Sequence, residues 1–377
     1  MALMTVLGLM SGTSMDGVDA AVVVTDGEAI VGFGPRLFRP YTPAEREVLR
    51  AAARDARALT DRSARPGALL AAERIVGDVH SETVEQLMRE NRYSPGRVKI
   101  DGPSGRGTID LIGFHGQTVF HAPEQRLTVQ IGNGQALAER VGVPVVFDFR
   151  AADVAAGGEG APLVPIYHRA LVQKAGLAGT VAIVNIGGIA NITRIASDGS
   201  LIAGDTGPGN ALLDDFVRAR SGAAMDMGGT LGARGRVDQR ALARLLDNPW
   251  FARPLPRSLD RDAFSAAAVA DLSTEDGAAT LTAFTAQTIL RGIEMAGGAG
   301  RIVVAGGGAS NPFMMRLLTA EAGVETTSAA ALGWSPDFIE AEAFAYLAAR
   351  RFRGLPITFP GTTGVGMPLT GGVLANP

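Results

Sequence analysis

Three glycine-rich turns gather the polar residues of this chain that have phosphate-binding character. Gly12-Thr13-Ser14-Met15-Asp16-Gly17, Gly187-Gly188-Ile189-Ala190-Asn191 and Gly306-Gly307-Gly308-Ala309-Ser310-Asn311 each follow an apolar run. A turn of this kind brings backbone N–H groups close to an anion with no Cβ in the way, and the Thr13 and Ser14 hydroxyls add donors. One such turn is also an ordinary hairpin connection, but three with polar partners point to a nucleotide. Asp16 and Asp19 can hold a metal-bound water near the first turn or simply bond their own loop. His115 and Gln117 follow the apolar run Asp110–Phe114, and the end of a buried strand is where α/β sheets place ligands, although a histidine there also serves as a structural group. Arg150 follows another short strand, and its planar fork suits a carboxylate or an ion pair with Asp148 or Asp153. Asp205 opens the tract Asp205-Thr206-Gly207-Pro208-Gly209-Asn210, where on its own terms it reads as a helix cap. Glu340 stands in the first turn of the last helical stretch, where the helix dipole favours an acid.

Composition removes several other chemistries. With no cysteine there is no disulfide, thiolate nucleophile or Cys-ligated metal, and four histidines spread along the chain make no metal site of their own. A net charge of −3 and the absence of a basic run with aromatics give no footprint for nucleic acid. No stretch is long enough to span a bilayer, and the apolar start lacks the Lys or Arg of a signal peptide, so a cytoplasmic protein is expected. A P-loop Gly-x-x-x-x-Gly-Lys-Ser/Thr is missing, as is a Gly-x-Gly-x-x-Gly that opens a helix.

The turns need strands and helices to hold them. Leu3–Met10 and Val18–Val24 read as a hairpin around the first turn, with a third strand over Ala29–Gly34. Helices are expected over 44–58 and 66–91, a Gly- and Pro-rich loop over Ser94–Thr108, strands over 110–114, 127–131 and 144–147, and a helix over 134–141. The strand, glycine turn, strand pattern then recurs at 180–195, which suggests an internal duplication. Leu201–Ala203 leads into the Asp205 tract as a turn, with helices over 211–220, 239–246, 276–296 and 337–352 and a strand over 301–305. At 377 residues two domains are the default. The expected division is 1–150 and 151–336, with the segment from 337 to 377 packing back towards the first domain; the Gly- and Thr-rich tail after Gly354 has no readable role.

Leu9–Gly17, Asn185-Ile186-Gly187-Gly188-Ile189-Ala190-Asn191 and Asp205–Asn210 strongly resemble the motifs of the anhydro-N-acetylmuramic acid kinase family, and Phe114–Thr118, Gly160–Pro165 and Gly306–Gly308 extend the resemblance over essentially the whole chain. The resemblance implies an α/β, two-lobed actin-like (ribonuclease H-like) ATPase fold, with duplicated mixed sheets and a nucleotide cleft between the lobes. It implies ATP, carrying Mg²⁺, as phosphoryl donor, 1,6-anhydro-N-acetylmuramic acid as small-molecule substrate, and a homodimer. The nucleotide residues would be Gly12, Thr13, Ser14, Met15, Asp16, Gly17, Asp19, Asn185, Gly187, Gly188, Asn191, Gly207, Gly209, Asn210, Gly306, Gly307, Gly308 and Asn311. Asp205 becomes the catalytic base, and Arg150, Glu340, His115 and Gln117 the sugar-facing groups. Gly204 replaces the family's usual Phe, Thr362–Pro368 matches nothing in the pattern, and Met10 stands where the superfamily's first turn usually carries an Asp. A kinase of another amino sugar and a non-catalytic ATP sensor are the competing readings.

Overall fold

The computed structural model describes residues 2–96, 107–260 and 263–377. Most of the loop expected over Ser94–Thr108 lies outside the described residues. The chain divides into two compact units, Met1–Lys174 with Phe338–Pro377, and Ala175–Asp337. Residues 151–174, assigned to the second domain from the sequence, pack in the first unit.

In the first unit, β1 (Met4–Ser11), β2 (Gly17–Thr25) and β3 (Ile30–Pro40) form an antiparallel meander. A minor pair, β4 (Ser94–Pro95) and β5 (Thr108–Ile109), precedes β6 (Leu111–Ala122), which pairs with β1 in parallel. β7 (Leu127–Ile131) returns antiparallel to β6, and β8 (Val145–Phe147) joins β6 in parallel. The sheet order is β14-β8-β6-β1-β2-β3, where β14 (Val373–Ala375) comes from the tail and pairs antiparallel with β8. The second unit repeats the arrangement with β9 (Val181–Ile186), β10 (Ile189–Ile195), β11 (Leu201–Pro208), β12 (Arg301–Ala305) and β13 (Glu325–Ser328) in the order β11-β10-β9-β12-β13. Both sheets therefore have an antiparallel meander on one side of a first strand and parallel strands on the other. This is the ribonuclease H-like order of the expected α/β fold, present twice.

Helices α1 (Pro43–Asp55), α2 (Leu69–Glu90) and α3 (Gly134–Val141) contribute to a core with β1, β2 and β6 that includes Leu49, Val76, Leu87, Phe114 and Leu137. α1 starts where the sequence says it should: Thr42 and Glu45 bond each other's backbone N–H in a capping box, worth roughly 1 kcal/mol. α4 (Ala151–Ala155) and α5 (Pro165–Lys174) follow β8. Helix α11 (Ile339–Phe352) lies on β1, β2 and β6, and α12 (Pro360–Thr363) follows it. The helix sits very close because Gly8 of β1 and Gly113 of β6 are register partners, and a Cβ on them would overlap the carbonyls of Ala341 and Phe344. In the second unit, α9 (Thr274–Met295) packs on β10 and β11, with α6 (Asn210–Ser221), α7 (Thr230–Arg234), α8 (Gln239–Leu246) and α10 (Pro312–Ala322) around it. No helix among the described residues is long and apolar enough to cross a membrane.

Candidate active site

In the first unit the turn between β1 and β2 is open at its tip. Thr13, Ser14 and Asp16 are exposed, Met15 N–H bonds the Gly12 carbonyl at 3.1 Å, and the Ser14 hydroxyl donates to Asp16 at 2.8 Å. Met15 itself is buried and takes a left-handed conformation at φ 54°. Asp19 sits on β2 opposite Met10. The base of the turn is fixed by buried Gln117, which accepts from Ser11 Oγ at 2.5 Å and donates from its amide to the Gly12 carbonyl at 3.1 Å. Tyr41, buried and bonded to Ser11 at 3.1 Å, completes the support, and burial pushes its phenol up to about 12. Gln117 is thus a brace for the turn rather than a group aimed at solvent. The strand expected over 110–114 continues as β6 to Ala122 and pairs Gln117 with Ser11.

His115 lies beneath Arg150. Its Nδ1–H donates to the Gly116 carbonyl at 2.8 Å, so Nε2 accepts from the Arg150 guanidinium at 3.1 and 3.2 Å. Burial and the Arg150 charge hold the imidazole far below its ordinary pKa, hence neutral. Neither acid next to Arg150 in sequence is its hydrogen-bonded partner. Asp148 pairs with Arg62 at 2.6 Å, and Asp153 accepts from Gly160 N–H and the Thr363 hydroxyl, each at 2.7 Å. Arg150 Nη1 instead donates to the Gly160 carbonyl at 2.8 Å. Desolvation lowers the Arg150 pKa, while the charges of Glu340 and Asp153 raise it. Glu340 is solvent-accessible, yet desolvation by the surrounding protein raises its carboxyl, with Arg150 pulling the other way. About half a turn further along α11, Glu342 is buried between Arg36 Nη2 at 2.6 Å and the Tyr167 hydroxyl at 2.7 Å. That brace was invisible in the sequence, because its members lie on β3, α5 and α11.

In the second unit Asn185, Asn191 and Asp205 are register partners across β9, β10 and β11, so their side chains form a polar row on one face of the sheet. Asp205 belongs to β11, which runs through Pro208; the turn expected over Gly204–Pro208 is strand because its backbone pairs with β10. Its carboxylate does not cap a helix but accepts from Leu259 N–H at 2.7 Å. Desolvation raises its pKa to about 6, against the Leu259 bond and the Arg257 charge. Arg257 is buried, stacks over Trp250 with 4.1 Å between guanidinium carbon and ring centroid, and donates from Nε to the Asp205 carbonyl at 3.0 Å. The Gly187–Gly188 turn is sewn to the start of α6: Asn210 N–H bonds the Gly187 carbonyl at 2.8 Å, Gly209 N–H bonds Gly188 at 2.9 Å, and Asn210 Nδ2 bonds the Ile186 carbonyl at 3.0 Å. Gly207 lies on β11 beside Thr288. Gly306 follows β12 with a φ of 75°, and a Cβ there would overlap the Asn185 side chain. Gly307 and Gly308 begin a short 3₁₀ turn, and Asn311 caps α10 by accepting from Phe313 and Met314 N–H at 3.0 Å. Among the described residues no group of three or more His, Cys, Asp or Glu is placed to hold a metal.

The first unit thus offers an open hydroxyl-bearing turn and an arginine fork beside an accessible acid, and the second a carboxylate poised near neutrality. The family model for anhydro-N-acetylmuramic acid kinase matches residues 4–376. The anhydro-N-acetylmuramic acid kinase of Bradyrhizobium diazoefficiens is 52% identical over 377 residues, covering 100% of both chains. That of Methylobacterium nodulans is 51% identical over 385 aligned residues, covering 99% of this chain and 100% of its own. Among solved structures, component A of the (R)-2-hydroxyglutaryl-CoA dehydratase of Acidaminococcus fermentans aligns over 92% of this chain and 98% of its own at 12% identity and a TM-score of 0.43, a likeness too loose to add to the strand order. With the motifs, both sheets and the full-length match in agreement, the chain belongs to the anhydro-N-acetylmuramic acid kinase family.

Proposed function

We propose that this protein uses ATP to convert 1,6-anhydro-N-acetylmuramic acid and water to N-acetylmuramic acid 6-phosphate, in the recycling of peptidoglycan. The full-length family match carries the reading, and the chemistry of Asp205 supports it. Asp205 takes a proton from water as the water oxygen attacks the anomeric carbon. The bond from that carbon to the bridge oxygen breaks, and the freed oxygen attacks the γ-phosphorus, releasing ADP. A base with a pKa of about 6 is ionised at neutral pH yet still basic enough to accept the proton in the transition state. Arg150 pairs with the lactyl carboxylate of the sugar, and Glu340 faces a sugar hydroxyl. Thr13, Ser14 and the backbone of Gly12–Gly17 take phosphate oxygens, while Gly306–Gly308 border the adenosine. Mg²⁺ would ride mainly on the phosphates, with the exposed Asp16 carboxylate holding one of its waters, and would neutralise phosphate charge. The enzyme works as a cytoplasmic homodimer on this reading.

The test is ADP release from purified protein with Mg²⁺ and ATP, with and without the anhydro sugar, followed by mass analysis of the sugar. A product heavier by phosphate plus water is expected. Phosphate gain without water would make this a plain sugar kinase, and ATP binding without sugar-stimulated ADP would make it a sensor.

A further inference from the structure

The tail after Gly354 carries no readable motif, yet Thr363 is fully buried and doubly bonded. Its hydroxyl donates to Asp153 Oδ1 at 2.7 Å, and its carbonyl accepts from Glu159 N–H at 2.7 Å. Asp153, also buried, uses Oδ2 to accept from Gly160 N–H at 2.7 Å. The carbonyl of the same Gly160 is the acceptor for Arg150 Nη1 at 2.8 Å. Gly160 has a φ of 68°, and a Cβ there would press on Val154 and come within 3.2 Å of His121 Cε1. The glycine is therefore gripped on its N–H side by Asp153 and presents its carbonyl to the guanidinium on the other. Neutral His115 grips the opposite edge of Arg150. No hydrogen bond or ion pair between Arg150 and a carboxylate occurs among the described residues, so the fork is oriented by two neutral acceptors, and Glu340 and Asp153 act on it through their charge alone.

We infer that Thr363 is a positioning residue for Arg150, acting through Asp153 and Gly160, and that the C-terminal turn Pro360–Thr363 thereby sets recognition of the substrate's carboxylate. The inference rests on the reading of Arg150 as that carboxylate's partner. Removing the hydroxyl leaves Asp153 Oδ1 buried without its donor, frees the turn 157–160, and lets the Gly160 carbonyl move away from Nη1.

Thr363→Val keeps the shape and loses the hydroxyl, and Thr363→Ser keeps the hydroxyl. Steady-state kinetics would be measured for both, and for Arg150→Gln, with the anhydro sugar and with its counterpart lacking the lactyl group. Thr363→Val should raise the KM for the carboxylate-bearing sugar about tenfold, with kcat and the KM for ATP within about twofold and no change towards the sugar lacking the carboxylate. Thr363→Ser should restore the native KM. If Thr363→Val does not fold, Thr363→Ala takes its place with the same expectation. An unchanged sugar KM in the hydroxyl-less variant, or an equal loss for both sugars, overturns the inference provided that Arg150→Gln still raises the KM for the carboxylate-bearing sugar alone. If Arg150→Gln shows no such preference, the reading of Arg150 itself has failed, and the inference falls with it.

Discussion

On the proposed mechanism the chemistry rests on the Asp205 carboxyl group, whose environment is set by burial, the Leu259 N–H and the Arg257 charge. Desolvation pushes its pKa to about 6, while the Leu259 N–H and the Arg257 charge keep it from rising further. Because the base must be ionised, kcat/KM should fall about tenfold per pH unit below that value and level off above it. Asp205→Asn preserves the acceptor for Leu259 and removes the base; turnover should drop by roughly a thousandfold while ATP binding by calorimetry is retained. Near-normal ADP release from that variant would exclude Asp205 as the base. Arg257 has its own role, since it ties the segment 250–259 to the Asp205 backbone by a bond in each direction.

At the scale of elements, the contact of α11 with β1 and β6 decides where two glutamates stand. Gly8→Ala places a methyl group against the Ala341 carbonyl and the Ala345 N–H, and neither backbone atom can yield without moving the helix. The expected cost is about 2–3 kcal/mol, read as a lower urea midpoint at unchanged slope. A midpoint equal to that of the native protein would mean that α11 is free to shift. The sequence makes the β1–β2 hairpin, α8 and β12 legible because their apolar periods are bounded by turn residues. It does not reveal β14 or α12, whose Gly- and Thr-rich sequence has no period and which exist through pairing with β8 and bonding to Asp153. α5 was likewise unread, since burial around nearly its whole circumference erases the amphipathic signal. In the site, the motif residues could be named, but register decides which of them face outward. Gln117 became a brace and the Asp205 turn became strand because strand partners, supplied by distant segments, override local glycine content.

For the whole molecule, buried neutral histidines couple stability to acid. His80 is held at a pKa of about 4 and His168 at about 3 by burial, and His115 is pushed well below 6.5. An unfolded chain would protonate all three near pH 6.5, so below that pH the unfolded state binds more protons and stability falls as pH falls. Each contributes up to about 1.4 kcal/mol per pH unit until its folded pKa is reached. Asp205, raised to about 6, and Glu340 and Glu342, also raised by burial, work in the opposite sense and offset part of this loss. Urea unfolding should therefore give a lower stability at pH 5 than at pH 7, and His80→Gln, which cannot take up a proton, should narrow that difference; an unchanged difference would exclude a contribution from His80. The division of the chain has a separate consequence during synthesis. The second unit is one contiguous stretch, Ala175–Asp337, whereas the first needs Phe338–Pro377 to supply α11 and the β14 edge. On a ribosome the later-numbered unit can finish folding first, and the one begun earliest must wait, its sheet lacking a cover, until the last forty residues emerge.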